Sequence, residues 1–169
     1  MADVELDVTP LRRQIAFTGP TPLATPGLPF AIDFATTFYF HGADGGLLLG
    51  MSDPTERPGF DTGYAPGWEP SLLEAAGRCA PALAELPITH GWAGLYEVTP
   101  DASALIGEAR GPGRFLYATG FSGHGFCQAP AAGEIVADLV LGRPPFLDVS
   151  ALRAERFAER DPIAEANIV

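Results

Sequence analysis

The chain has 169 residues, 21 of them acidic, and its ten basic residues are all arginine, for a formal net charge of −11. An acidic balance of this size repels duplex nucleic acid and anionic lipid surfaces, which excludes both as partners. A composition of 47% hydrophobic and 18% charged residues excludes a disordered chain, and no apolar run reaches the length of a membrane span.

The N-terminus, Met-Ala-Asp-Val-Glu-Leu-Asp, lacks the cationic region of a secretory signal, so a cytoplasmic protein of one domain, or one and a fraction, is expected. Without lysine, no side chain forms a Schiff base or serves as a desolvated amine base. The two cysteines, Cys79 and Cys127, make neither a disulfide framework nor a zinc spacing, and no metal site is expected.

In chain order, Leu11 to Thr18 reads as a strand, and the Pro/Gly-rich run from Gly19 to Pro29 as a loop. Ala31 to Phe40, rich in Phe, Thr and Tyr, reads as one strand. Gly42-Ala-Asp-Gly-Gly46 is a hairpin turn whose Asp-Gly pair supplies positive φ, and Leu47 to Met51 is the returning strand. Ser52 to Pro66 is a long surface loop. Glu69 to Leu86 has helical spacing, divided or kinked at Pro81, with Cys79 expected on its apolar face.

Pro87 to Val98 returns to β character, Thr99-Pro-Asp101 is a turn, and Ala104 to Glu108 and Arg114 to Thr119 are short strands around Gly111-Pro-Gly113. A helix from about Phe126 to Leu141 ends at Gly142 as a C′ glycine. Ser150 is expected to cap a last helix, Ala151 to Arg160, and the final nine residues to fray. The pattern predicts an α+β fold, a mainly antiparallel sheet with flanking helices.

The stretch Thr119-Gly-Phe-Ser-Gly-His-Gly-Phe126 is a glycine-rich turn between a strand and a helix. Glycines allow close backbone approach, and a helix N-terminus offers unpaired N–H groups and partial positive charge to an anion or an electron-rich oxygen. A plain connector has the same composition. The third glycine of GxGxxG is missing, and no Gly-Lys-Ser/Thr follows, so neither a dinucleotide fingerprint nor a Walker loop is present.

Gly120-Phe-Ser-Gly-His-Gly-Phe126 followed by Ala129-Pro-Ala-Ala-Gly-Glu134 resembles the C-terminal flavin motif of the D-amino-acid oxidase superfamily, in the branch holding sarcosine oxidase, dimethylglycine dehydrogenase and glycine oxidase. Tyr96-Glu-Val-Thr-Pro-Asp101 with Ala104-Leu-Ile-Gly107 is similar to that family's Tyr-x-x-Thr-Pro-Asp turn, and the resemblance runs from about Pro10 to Phe157. It implies a substrate-binding domain over residues 1–110. It also implies a C-terminal segment, 111–169, whose strand and helix complete an FAD-binding domain.

The implied activity is FAD-dependent oxidation of a C–N bond in a secondary amine or amino acid of sarcosine or glycine type, by hydride transfer to the flavin followed by imine hydrolysis. Gly120, Phe121, Ser122, Gly123, His124, Gly125 and Phe126 would contact the flavin, their N–H groups and helix dipole facing its pyrimidine edge. Tyr39, Ser52 and Cys127 would face the substrate. The resemblance assigns no catalytic side chain.

Several positions depart from the family pattern. Gly94 stands where monomeric sarcosine oxidases attach flavin through cysteine, so FAD is expected to be non-covalent. Cys127 stands where those oxidases carry a substrate-carboxylate lysine, Leu48 at the oxygen-activating lysine, and Ser52 at a substrate-site histidine. These replacements favour a dehydrogenase-like enzyme or a different amine.

The family's N-terminal Rossmann motif does not occur in the chain, which starts where the substrate domain starts. A fragment, a truncated product or one half of a split enzyme is expected, inactive and holding FAD weakly by itself. Its partners would be a small amine or amino acid and a Rossmann half, or a second copy of the chain. An assembly subunit or an inactive folded piece is the alternative.

Among single residues, Arg12 and Arg13 are candidates for a substrate carboxylate, with at most one pointing into a site. His41 and His90 are expected to be structural, Trp92 and Tyr96 core or interface residues, and Asp101 a turn former.

Overall fold

A computed structural model describes residues 4–159 except Pro112. Arg160 and the expected frayed terminus lie outside the described residues. The chain divides into two compact units, one from Leu11–Leu95 and the other from the described parts of Met1–Pro10 and Tyr96–Ile168.

The first unit is built on strands β1 (Thr9–Thr18), β2 (Ala31–Asp33), β3 (Phe38–Ala43), β4 (Gly46–Gly50) and β5 (Ile88–Val98), in the spatial order β2-β3-β4-β1-β5. The division between units falls near the start of β1 and late in β5. The pairs β2–β3, β3–β4 and β1–β4 are antiparallel, with Tyr39 opposite Gly50 and Ala16 opposite Leu49. Asp44 and Gly45 both hold positive φ, 51° and 78°, as the Asp-Gly hairpin signal predicts.

Helix α1 (Glu69–Cys79) covers one face of the sheet. Leu72, Ala75 and Ala76 pack with Ala16, Phe38, Leu47, Leu49 and Met51 in one core, the period-3.6 stripe of the helix meeting the period-2 face of the strands. Pro81 opens a separate 3-10 turn, Pro81–Leu83, which ends α1 as expected.

Three expectations need correction. The single strand over residues 31–40 is two strands. The Asp33 carboxylate accepts hydrogen bonds from the Ala35 N–H (3.0 Å) and the Thr36 hydroxyl (2.7 Å) and turns the chain, with Thr37 at φ 62°. Such an Asx turn outbids a continued ladder in a β-prone sequence. Cys79 is exposed, because the chain leaves the helix at Ala80 with φ −153° and the apolar stripe ends one turn earlier.

The expected last helix is a 3-10 turn, Ser150–Leu152, and a separate helix α3, described over Arg156–Glu159, divided by Arg153 in extended conformation. Ser150 caps nothing with its side chain. Its own N–H is taken by the Asp148 carboxylate at 2.9 Å.

The second unit holds an antiparallel hairpin, β6 (Leu105–Glu108) with β7 (Leu116–Thr119), and helix α2 (Gly125–Val140). Ala132 and Ile135 of α2 pack on Ala104 and Ile106. At the far end Gly142 adopts φ 67°, its N–H bonded to the Leu139 carbonyl at 3.1 Å and the Arg143 N–H to the Asp138 carbonyl at 2.8 Å. This is the Schellman geometry that a C′ glycine permits. Among the described residues no helix is long and apolar enough to cross a membrane.

Gly46 is a point of close backbone approach in the first sheet. A Cβ there would stand 2.7 Å from the carbonyl oxygens of both Thr18 and Gly19, backbone atoms that cannot rotate away. Gly46→Ala is therefore expected to destabilise the chain by about 1–3 kcal/mol, read as a lower urea midpoint at unchanged slope.

Candidate functional site

The turn between β7 and α2 is gripped from the side by the end of β5 and the residues after it. The Glu97 carboxylate accepts the Gly120 N–H (3.1 Å) and the Thr119 hydroxyl (2.7 Å), while the Glu97 carbonyl accepts the Ser122 N–H (3.1 Å). Gly120, Ser122 and Gly123 all hold positive φ, at 68°, 51° and 99°. Two of these positions are closed to any side chain. A Cβ on Gly120 would meet the Thr99 methyl at 2.4 Å, and one on Gly123 the Tyr96 ring at 2.5 Å.

Ser122 is a non-glycine residue in left-handed backbone, and its side chain stabilises it there. It is 1% exposed, its hydroxyl lies 3.1 Å from the Gly120 carbonyl, and it accepts the Thr99 N–H at 3.3 Å.

Beyond this buried base the turn presents its backbone outward. The His124 N–H bonds the Phe121 carbonyl (2.9 Å), and the first helical bond runs from Gln128 back to His124. The N–H groups of Gly125, Phe126 and Cys127 therefore have no intrahelical acceptor, and no side chain caps the helix. Phe126 is 97% exposed. The Cys127 thiol donates to the His124 carbonyl at 3.1 Å. Such a set of outward N–H groups at a positive helix end suits an electron-rich oxygen or nitrogen edge.

Gly120 through Phe126 and Cys127 are thus contiguous in one unit. Tyr39 and Ser52 belong to the other. Tyr39 lies over Gly50, stacked on Phe30 at 5.2 Å between ring centres, on the sheet face opposite α1. Ser52 donates its N–H to the Thr37 hydroxyl (3.0 Å) and lines an open cleft of about 940 Å³ with Arg12, Arg13, Thr37 and Trp68.

Arg12 is already committed. Its Nε lies 2.8 Å from Glu56 and its Nη1 2.8 Å from Asp61, and the hydrogen bond to Glu56 holds the guanidinium still more firmly protonated. Trp92 is 54% exposed. His90 stacks flat on Phe17, and His41 on Phe30.

Sequence reasoning missed two groups. Glu97 stands inside the Tyr-Glu-Val-Thr-Pro-Asp string, and an acidic residue facing a glycine turn was its only signal. The other is Arg156, 3% exposed, which forks onto Asp101 with Nε–Oδ2 and Nη2–Oδ1 both 2.7 Å. Burial pushes the Asp101 carboxyl up, but the bonds from Arg156, the Ser103 N–H and Thr99 outweigh it and hold the pKa below its ordinary 3.8.

A family model for FAD-dependent oxidoreductases (DAO) matches residues 1–139. The FAD-dependent oxidoreductase domain-containing protein 1 of Xenopus laevis is 30% identical over 152 residues, 85% of this chain and 30% of that protein. The N-methyl-L-tryptophan oxidase of Salmonella agona is 35% identical over 121 residues, 69% of this chain and 30% of that enzyme.

Among solved structures, L-proline dehydrogenase from P. horikoshii superposes with a TM-score of 0.81 at 31% identity, covering 93% of this chain and 42% of that one. Glycine oxidase from Geobacillus kaustophilus shares the fold, with a TM-score of 0.76 at 24% identity over 90% of this chain and 40% of its own. The chain spans less than half the length of each of these relatives.

Two outcomes follow from this geometry. Gly123→Ala forces a Cβ into the Tyr96 ring at positive φ and is expected to cost about 1–3 kcal/mol in a urea melt. A carboxylate whose folded pKa is depressed stabilises fully above its unfolded value, and that stability is lost as pH falls through the folded value. Wild-type stability should therefore drop below pH 3.8, and Asp101→Asn should lower stability at neutral pH and flatten that acid limb in melts taken across pH.

Proposed function

The chain belongs to the family of FAD-dependent oxidoreductases whose model spans residues 1–139, and from that premise we propose that it forms the substrate-facing and flavin-facing portion of an amine or amino-acid oxidoreductase. The observation that carries this reading is the uncapped N-terminus of α2, set beside a turn held rigid from below by Glu97 and Thr99.

In this reading residues 1–110 serve the substrate and residues 111–169 close the flavin site. The outward N–H groups of Gly125, Phe126 and Cys127 would hold the pyrimidine edge of the isoalloxazine. The helix end would favour negative charge collecting there, without any movement of the protein at that moment. Bound flavin supplies a hydride acceptor for a C–H next to an amine nitrogen. The exposed Phe126 ring would be covered once the site is filled. Tyr39, Ser52 and Cys127 would meet the substrate, while Arg12 is held by Glu56 and Asp61.

Substrates of the sarcosine or glycine kind fit a family whose relatives include an N-methyl-L-tryptophan oxidase and a glycine oxidase. Residues that hold the ADP end of FAD would lie outside these 169, on the same polypeptide or another. A second reading, a non-catalytic assembly subunit, draws on the exposed Phe126, Val140 and Leu141 at 97%, 54% and 62%; these would sit against a partner.

FAD titration separates the two. The purified chain is followed by visible absorbance alone and after mixing with a Rossmann half from a related enzyme. Perturbed flavin bands in the mixture, bleached by an added N-methyl amino acid, are the expected result. Flavin that stays unperturbed in both would withdraw the catalytic reading and leave the assembly subunit.

A further inference from the structure

Over its described residues helix α3 buries one side chain, and that one is charged: Arg156, 3% exposed. Its guanidinium is fully engaged. Two 2.7 Å bonds fork onto Asp101, 55 residues away, and the remaining donors reach the carbonyls of Ser103 (2.8 Å), Ala104 (3.2 Å) and Arg153 (3.4 Å). Asp101 spends its other capacity on the Ser103 N–H (3.1 Å) and the Thr99 hydroxyl (3.2 Å). The segment Thr99–Ala104 is fixed as a unit, including Ala102 at φ 56°.

A desolvated ion pair adds little net stability compared with an apolar replacement, and its best-attested use is to select one conformation. Here the segment it fixes lies directly beneath the glycine turn. Thr99 presents its methyl where a Cβ on Gly120 would stand, and donates its N–H to the Ser122 hydroxyl. Three left-handed residues within four persist only where their surroundings over-determine them.

We infer that the Asp101–Arg156 pair is a positioning device for the flavin-facing turn: it holds Thr99 in place, and Thr99 in turn holds Gly120 and Ser122 in left-handed backbone. The consequence for flavin rests on the function proposed above, whereas the coupling between the ion pair and the turn does not. Neither residue touches the ligand edge of the turn. Their effect passes through Thr99.

Arg156→Lys keeps the charge and loses the fork. In the full chain without flavin, the Ser122 13Cα and 13Cβ shifts report its backbone conformation, and amide exchange reports the bonds made by Thr99 and Ser122. The expected result is displaced Ser122 shifts and exchange at Thr99 and Ser122 accelerated about tenfold beyond any change at Leu105 and Tyr117 of the β6–β7 ladder. A merely structural pair would speed all four amides alike and leave the Ser122 shifts of the folded protein in place, and that result overturns the inference.

The double variant Asp101→Asn/Arg156→Gln leaves no lone buried charge and is read the same way if the single variant does not fold. Added FAD then gives the second reading. Perturbed flavin bands in wild type with the Rossmann half, weakened about tenfold or more in Arg156→Lys, support both inferences. Absence of binding in wild type overturns the flavin reading alone, while the amide data still decide the coupling.

Discussion

Left-handed backbone at Gly120, Ser122 and Gly123 is the constraint from which the second unit is organised. A serine resists this conformation, and a polypeptide adopts it three times in four residues only if each alternative is blocked. The end of β5 supplies the blocks. Glu97 takes two N–H groups of the turn, one with its side chain and one with its carbonyl. Thr99 presses a methyl against Gly120, and the Tyr96 ring closes the space at Gly123. With its polar contacts spent inward, the turn delivers the chain to α2 with the first helical N–H groups facing out.

The polar residues around that turn form one connected set rather than separate bonds. Ser122 accepts from Thr99, Thr99 reaches Asp101, and Asp101 is forked by Arg156. A buried carboxylate or guanidinium left alone would be costly, so each member depends on the others. The described residues of α3 are held by the ion pair, next to the Ala154 N–H on the Tyr117 hydroxyl at 2.9 Å.

Local rules were legible in the sequence wherever the decisive interaction was local. The Asp44-Gly45 turn, the division at Pro81 and the Gly142 C-cap each depend on one or two residues whose φ is restricted or freed, and each appears as expected. The α+β class and mainly antiparallel sheet follow from the same signals. Asp33 was also a local signal, but the aromatic and β-branched residues around it read as continuous strand, and its side-chain bonds to Ala35 and Thr36 decided otherwise. The candidate turn itself was marked by its glycines and by family resemblance. What stabilises it was not visible, because Arg156 and Asp101 lie 55 residues apart and Glu97 and Gly120 lie 23 apart. Periodicity carries no information across such distances, and an arginine near a chain end looks like any solvated charge.

The two ends of α2 are treated in opposite ways, and this asymmetry argues that its start is kept for something else. At the C-terminal end several devices are used: the Schellman turn at Gly142, Arg143 against Asp138, and Arg114 reaching the Leu139 and Val140 carbonyls. At the N-terminal end there is no capping side chain and no acidic residue in the first turn, although either would stabilise the helix by a fraction of a kcal/mol or more. Pro130 further frees the Phe126 carbonyl from its helical bond, and residues 126–131 are all exposed. A sequence that completes one helix end so thoroughly has the means to complete the other. An anionic cap at Gly123 or His124 would compete with any electron-rich group approaching the same N–H groups, so the missing cap and the proposed flavin edge are two descriptions of one electrostatic requirement.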